Sequence, residues 1–156
     1  MSPASKPPAL GAGAEDQALQ VMILGRSIIR LVRQGVQQHS QGALTHIQYR
    51  ALSRLARQPS GLGELAQGMQ VRLPTASCLV DGLEQAGWVD RSRDARDRRR
   101  VELLLTAKGL ALREKVRQGL RQELAKRLAK LDARQARDFK AGMRVLQQLF
   151  PVEGGA

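Results

Sequence analysis

Apolar residues recur every three or four positions over most of the chain, which is the spacing of the buried face of an amphipathic helix. This pattern predicts helices at residues 15–37, 45–57, 61–69, 74–87, 107–131 and 133–150. Two short apolar runs, residues 88–91 and 101–105, predict strands, although the second is leucine-rich and barely alternates. The expected fold class is therefore mainly α-helical, with one small β-hairpin.

Several predicted helix ends carry residues that satisfy free backbone groups. Thr45 and Asp132 each precede a glutamine by three residues, which is the spacing of a capping box. Ser60 and Thr106 each stand where a helix N-cap is expected. Gly87 follows a helical pattern, where a left-handed residue commonly ends a helix. These marks define the element boundaries independently of the apolar pattern.

Residues 61–87 predict two short helices joined by a tight turn at residues 70–73. The second helix has an apolar stripe, formed by Ala76, Leu79, Val80 and Leu83. Its opposite face carries small polar residues, among them Thr75, Ser77, Cys78 and Asp81. A helix-turn-helix lays such a second helix in the major groove of DNA, where small polar side chains meet base edges.

The segment between the two predicted strands is strongly basic. Residues 91–100 contain six arginines and two aspartates, so their net charge is +4. An arginine-rich hairpin suits phosphates or a narrow minor groove, where negative potential concentrates. The alternative is a solvated loop that its charge keeps soluble. The basic segment closely follows a helix with a small polar face, and this position favours nucleic-acid binding over a solvated loop.

Length, net charge and cysteine content restrict the kinds of partner and compartment that suit the protein. The 156 residues suffice for one domain, and the net charge of +12 favours an anionic partner, either nucleic acid or a membrane surface. The single cysteine allows no intrachain disulfide, which favours a reducing compartment such as the cytoplasm. We expect no transmembrane segment and no signal peptide, because no apolar run is long enough for either.

Residues 79–109 resemble the winged helix-turn-helix of the MarR (multiple antibiotic resistance regulator) family of transcription factors. The resemblance is carried by an Asp-x-x-Asp-Arg-Arg wing at residues 94–99 and a Leu-Thr-x-x-Gly segment at residues 105–109. Shorter matches lie at residues 44–49 and 62–66. The chain departs from the family pattern at Arg72, Cys78 and Gly82, where the family often has serine or basic residues.

Composition and resemblance together divide the chain into five parts. They are a disordered tail (1–14), an N-terminal dimerisation helix (15–43), a winged helix-turn-helix DNA-binding domain (44–106), C-terminal dimerisation helices (107–150) and a second tail (151–156). The first helix is apolar on more than one face, as a helix must be if it packs on its own domain and on a second subunit. For the two C-terminal helices, an intrachain helical hairpin is the alternative to a dimer.

The resemblance implies a homodimeric, sequence-specific regulator of double-stranded DNA with a pseudo-palindromic site. It also implies a repressor that a small aromatic or phenolic anionic ligand releases. The recognition-helix residues are then Arg72, Pro74, Thr75, Ser77, Cys78 and Asp81. The wing residues are Arg93, Arg96, Arg98 and Arg99, with Asp94 and Asp97 holding the guanidinium groups. The candidate residues of a ligand cleft are Arg30, His39, Tyr49 and Arg54.

Other functions are weaker interpretations of the same residues. A nonspecific architectural DNA-binding protein would fit the charge and the nearly neutral recognition helix, and a protein-interaction adaptor could use the same winged fold. We expect neither an enzyme nor a bound cofactor, because the sequence has no nucleophile elbow, phosphate loop or paired catalytic carboxylates. His39, His46 and Cys78 do not form a recognisable metal site. A redox role for Cys78 would lack a second cysteine in the chain.

Overall fold

The computed structural model describes residues 12–93 and 101–151. In chain order the elements are α1 (Ala12–His39), α2 (His46–Leu55), α3 (Leu62–Met69), α4 (Leu73–Gln85), β1 (Val89–Arg93), β2 (Val101–Leu105), α5 (Ala107–Leu128) and α6 (Ala133–Leu149). The two strands form one antiparallel sheet. The predicted fold class is therefore confirmed. The chain divides into two compact units, residues 1–116 and 117–156.

The boundaries of the terminal segments differ slightly from the prediction. Residues 12–14 were expected in the N-terminal tail but belong to the first turn of α1. Residues 1–11 and 152–156 lie outside the described residues. The helix therefore starts three residues before its apolar pattern, at Ala12, Gly13 and Ala14.

Three predicted helix caps are confirmed. The Thr45 hydroxyl accepts a hydrogen bond from the Gln48 backbone N–H at 3.3 Å, and the Gln48 side chain accepts one from the Thr45 N–H at 2.9 Å. Asp132 makes the equivalent capping box at the start of α6. The Thr106 hydroxyl accepts from the Gly109 N–H at 3.0 Å. Side chains thus satisfy N–H groups that the first helical turn leaves unpaired.

The prediction that Ser60 caps α3 is wrong. The N-cap is Gly61, whose N–H donates to the Glu64 carboxylate at 3.2 Å. Ser60 instead has the backbone pairing of a strand residue, because its carbonyl accepts from the Leu103 N–H at 3.0 Å. Ser60 is consequently buried beside the hairpin rather than placed at the helix end.

Both ends of α4 follow the sequence prediction. Pro74 lies in the first turn, where a missing N–H costs no intrahelical hydrogen bond. Gly87 has a φ of +71°, and the next residue, Trp88, donates its N–H to the Leu83 carbonyl at 2.9 Å. This is the hydrogen bond that a left-handed residue permits at a helix C-terminus. The helix therefore has a fixed length, and the chain leaves it in a fixed direction toward β1.

The core of residues 1–116 lies beneath α4 and the hairpin. Its fully buried large side chains are Val36, Leu44, Leu52, Leu65, Val80, Leu83, Val89, Leu103 and Val116. They come from α1 to α5, from both strands and from the loop before α2. Only the C-terminal part of α1 contributes to this core, through Val36. The leucine-rich run predicted as a strand is indeed β2, which buries Leu103 against this core.

The first two-thirds of α1 and all of α6 leave large apolar side chains exposed. In α1 the consecutive residues Val21, Met22, Ile23 and Leu24 are all exposed, with Met22 at 66%. In α6 no residue is buried, and Leu149 is 65% exposed. The alternative of a helical hairpin that buries the apolar side of α6 is therefore not observed. Within the residues described, no helix is both long and apolar enough to cross a membrane.

Candidate nucleic-acid interface

Helix α4 separates a buried face from an exposed one. Ala76, Val80 and Leu83 are fully buried and hold the helix on the core. The predicted recognition residues lie on the solvent side: Arg72, Pro74, Thr75, Cys78 and Asp81 are exposed and Ser77 is half-buried. The structure therefore brings the predicted recognition-helix residues together on one accessible surface. Their contacts with DNA remain predictions.

Asp81 is already held by an ion pair. The Arg91 guanidinium on β1 donates to the Asp81 carboxylate at 2.7 Å and to the Glu84 carboxylate at 2.9 Å. One arginine therefore connects the C-terminal half of α4 to the first strand of the hairpin. Sequence reasoning placed Asp81 toward base edges and left Arg91 out of the site. The three-residue spacing of the two carboxylates was the available signal, since it places both on one side of a helix.

The start of α5 fixes the end of α4. The Thr106 hydroxyl donates to the Gly87 carbonyl at 2.8 Å, and the Lys108 ammonium donates to the Ala86 carbonyl at 2.8 Å. Gly109 lies so close to the Trp88 carbonyl that a side chain at this position would overlap it. A cation at free helical carbonyls also interacts favourably with the helix dipole. These contacts hold the C-terminal end of α4 and the residues that follow it against the start of α5.

Strands β1 and β2 flank the basic segment in the sequence. Arg93 is the last residue of β1 and pairs in register with Val101, the first residue of β2. The predicted wing residues Arg96, Arg98 and Arg99 and their predicted supports Asp94 and Asp97 lie outside the described residues. Their roles stay predictions.

A cavity of about 230 Å³ lies among α1, α2 and α3. Its polar lining consists of His46, Tyr49, Arg50, Ser53, Arg54 and Arg57. Of the predicted ligand-cleft residues, Tyr49 and Arg54 line this cavity, whereas Arg30 and His39 do not. Burial, and then the nearby charges of Arg33 and Arg50, lower the pKa of His46 below its ordinary value of 6.5.

The comparison with known families agrees with this geometry. Residues 44–101, from just before α2 to the first residue of β2, match the model of the MarR family. The chain carries a MarR family domain. The MarR match covers the helix-turn-helix and the basic segment between the strands, which are the parts assigned here to the candidate interface. No curated protein is significantly similar to the chain.

Solved structures extend the likeness beyond the MarR domain. A MarR family protein from Bacillus stearothermophilus is 26% identical and has a TM-score of 0.76, and the match covers 92% of this chain and 100% of that chain. A mutant of Staphylococcus aureus MepR bound to an oligodeoxyribonucleotide is 26% identical, with a TM-score of 0.60 and coverage of 83% and 97%. The transcriptional regulator BldR from Sulfolobus solfataricus shares the fold at 23% identity, with a TM-score of 0.63 and coverage of 86% and 97%.

The family match and the two neighbours at 26% identity support a DNA-binding transcriptional regulator. MarR family regulators are non-enzymatic DNA-binding proteins.

Proposed function

We propose that the chain is a homodimeric regulator that binds a specific pseudo-palindromic site in double-stranded DNA and acts as a repressor that a small ligand releases. The observation that carries this proposal is the exposed face of α4. Its side chains are small and polar, and the helix is held on one side by a buried apolar stripe and at its end by contacts from β1 and α5. A rigid helix with a small polar front is the element that enters a major groove.

Charge supports DNA as the partner. The net charge of +12 provides the nonspecific attraction that brings a protein to a polyanion. Arg72 at the N-terminus of α4 is exposed and suits a phosphate contact, because the positive end of the helix dipole adds to its charge. In this proposal Arg93, Arg96, Arg98 and Arg99 follow the flanking minor groove, and Asp94 and Asp97 position their guanidinium groups. The MepR neighbour bound to an oligodeoxyribonucleotide supports the same partner.

The exposed apolar side chains of α1 and α6 support a homodimer. Large apolar patches are rare on monomeric soluble proteins and commonly mark an interface. Two copies related by a twofold axis would present two α4 helices to successive major grooves, about 34 Å apart. Such spacing requires a DNA site with matching inverted halves, which is the origin of the proposed pseudo-palindrome.

Release by a ligand requires a ligand that prefers the state unable to bind DNA. A ligand with equal affinity for both states shifts nothing, and a tenfold preference corresponds to about 1.4 kcal/mol. The cavity among α1, α2 and α3 supports this part of the proposal, because it reaches Met69 at the end of α3, immediately before the turn into α4. An occupant of the cavity would therefore lie close to the element that orients the recognition helix.

The test is a competition assay on DNA selected from random fragments by the purified chain. We expect an inverted repeat, bound at least about a thousandfold more tightly than unrelated DNA at the same salt concentration. A ratio near one would instead indicate an architectural protein, and no salt-dependent duplex binding would indicate a protein-interaction adaptor. Arg72→Gln should lower affinity and reduce the salt slope by about one. Arg137→Gln, the same charge change at an exposed position of α6, is the matched control.

A further inference from the structure

The cavity among α1, α2 and α3 is lined by basic groups and by no carboxylate. Arg50 and Arg54 lie one turn apart on the same side of α2, and Arg57 follows in the turn after the helix. His46 lies one turn before Arg50. Helical spacing thus places a row of cationic or potentially cationic side chains along one wall of a concave site.

The charge of the two central arginines is not balanced within the described residues. Arg50 donates to the backbone carbonyl of Met69 at 3.4 Å, and Arg54 places its guanidinium against the backbone of Gly68, where a side chain would overlap it. No carboxylate among the residues at 12–93 and 101–151 pairs with either one. Each guanidinium has five N–H donors, so most of their donor capacity remains for a ligand.

Two further observations point to an anion at this wall. Ser53 is one of the residues that line the cavity, and its hydroxyl is buried and has no hydrogen-bond partner among the described residues. A hydroxyl in that position can donate to an oxyanion. Burial is the main cause that lowers the pKa of His46, and the charges of Arg33 and Arg50 lower it further, which is the part of the shift that reflects positive potential.

We propose that this cavity binds a small oxyanion that carries at least two negative charges, of the phosphorylated or polycarboxylated class, between Arg50, Arg54 and the Ser53 hydroxyl. Planar guanidinium groups bind carboxylate and phosphate oxygens through paired hydrogen bonds, which favours a ligand with several such oxygens. The volume of about 230 Å³ accommodates a small metabolite, and the site is open to solvent on one side. This ligand class differs from the singly charged phenols that the family resemblance implies.

The first test is calorimetric titration of the full-length protein without DNA, at constant ionic strength. The probes are pyrophosphate, citrate and benzoate. We expect saturable binding of pyrophosphate or citrate at least tenfold tighter than that of benzoate. Tighter pyrophosphate binding would assign the phosphorylated class, and tighter citrate binding the polycarboxylated class. Benzoate binding as tight as that of both multivalent anions, or no saturable binding of any probe, would overturn the proposal.

Variants separate a built site from general attraction to a basic protein. Arg54→Gln and Arg50→Gln should each weaken binding of the better probe at least tenfold, and Ser53→Ala should weaken it a few-fold. Arg137→Gln on α6 removes the same charge at a residue that does not line the cavity, and it should leave the affinity unchanged. An equal loss in Arg137→Gln would overturn the proposal. NMR titration of wild-type protein avoids any folding defect: the saturating probe should raise the pKa of His46, and an unchanged value would contradict the site.

The role of the anion in release rests on the proposed function, whereas its binding does not. Saturating probe should weaken binding to the selected DNA in wild type but not in Arg54→Gln. If the probe binds and DNA affinity is unchanged, the result supports the anion site in the cavity and contradicts its role in release from DNA. If no probe binds while DNA specificity is retained, the inference fails and the DNA-binding function stands.

Discussion

The connection between Arg91 and α4 makes a prediction about how DNA specificity arises. Arg91 contacts Asp81 at 2.7 Å and Glu84 at 2.9 Å, and these three side chains are 41%, 53% and 29% exposed. Ion pairs at such exposure contribute about 0.2–1 kcal/mol each. Arg91→Gln should therefore lower the free energy of unfolding by only about 1 kcal/mol, which leaves the protein folded for DNA-binding assays.

The expected effect on DNA binding is larger than the effect on stability. Because Arg91 holds β1 against the recognition helix, its loss should misorient α4 and weaken specific binding by about 1–2 kcal/mol, roughly 5- to 30-fold. Asp81→Asn removes a negative charge near DNA, and its electrostatic effect alone would strengthen binding. We expect it to weaken specific binding instead, because it removes the same contact.

A double-mutant cycle distinguishes positioning from base recognition. The four proteins are wild type, Arg91→Gln, Asp81→Asn and the double variant, assayed by fluorescence anisotropy on selected and unrelated DNA at one salt concentration. If the two side chains act as a unit, the double variant should bind the selected DNA only slightly less tightly than the single variant with the lower affinity. The coupling free energy between the two substitutions should then be about 0.5–3 kcal/mol. Additive effects, together with a changed base preference in Asp81→Asn alone, would refute the positioning role.

The remaining predictions address the scaffold around the interface. Leu83→Ala should lower the free energy of unfolding by about 2–5 kcal/mol in urea titrations, because Leu83 is fully buried beneath α4. Gly109→Ala should lower it by about 1–3 kcal/mol, because the new methyl group meets the Trp88 carbonyl. The pKa of His46 is lowered in the folded protein, so the unfolded chain binds this proton more readily and stability should fall as the pH drops below about 6.5. His46→Gln should lack this component. Ile29→Glu should shift sedimentation from dimer to monomer, since the exposed Ile29 side chain would lie in the proposed interface.

Each of these predictions has a contradicting result. An unfolding free energy of Leu83→Ala or Gly109→Ala within about 0.5 kcal/mol of wild type would show that the packing is looser than described. An identical pH profile in His46→Gln would remove His46 as the source of the acid sensitivity. A dimeric Ile29→Glu protein, or a monomeric wild type, would remove the exposed apolar side chains of α1 from the proposed interface.

Local features of the fold were readable from the sequence because their partners lie a few residues apart. The capping boxes at Thr45 and Asp132 follow from a fixed spacing of three residues, and Gly87 from the left-handed turn that ends α4. Ser60 was assigned incorrectly because its actual partner, Leu103, is distant in sequence. Strand pairing across that separation leaves no local pattern.

The sequence predicted where the candidate site lies better than it predicted which side chains contact each other there. The two-faced pattern of α4 located its exposed surface, since burial on one side follows from helical periodicity. The pairing of Arg91 with Asp81 depends on the angle between a helix and a strand, which spacing does not specify. The cavity could not be predicted from spacing in the sequence either, because Arg54 meets Gly68 only when α2 packs on α3. The roles of residues 94–100 rest on the sequence alone.

The central claim is that α4 enters the major groove twice in each complex. Cys78 is the single cysteine of the chain and one of the predicted base contacts, so it is replaced by Cys78→Ser. An iron chelate is attached instead to a cysteine introduced by Gln85→Cys at the exposed C-terminal end of α4, from where it can cleave DNA wherever the helix lies. On the selected DNA we predict two clusters of cleavage centred about 34–36 Å apart, one in each half of the inverted repeat. Uniform cleavage along the duplex, or no cleavage in a complex that footprinting shows to be formed, would contradict the account.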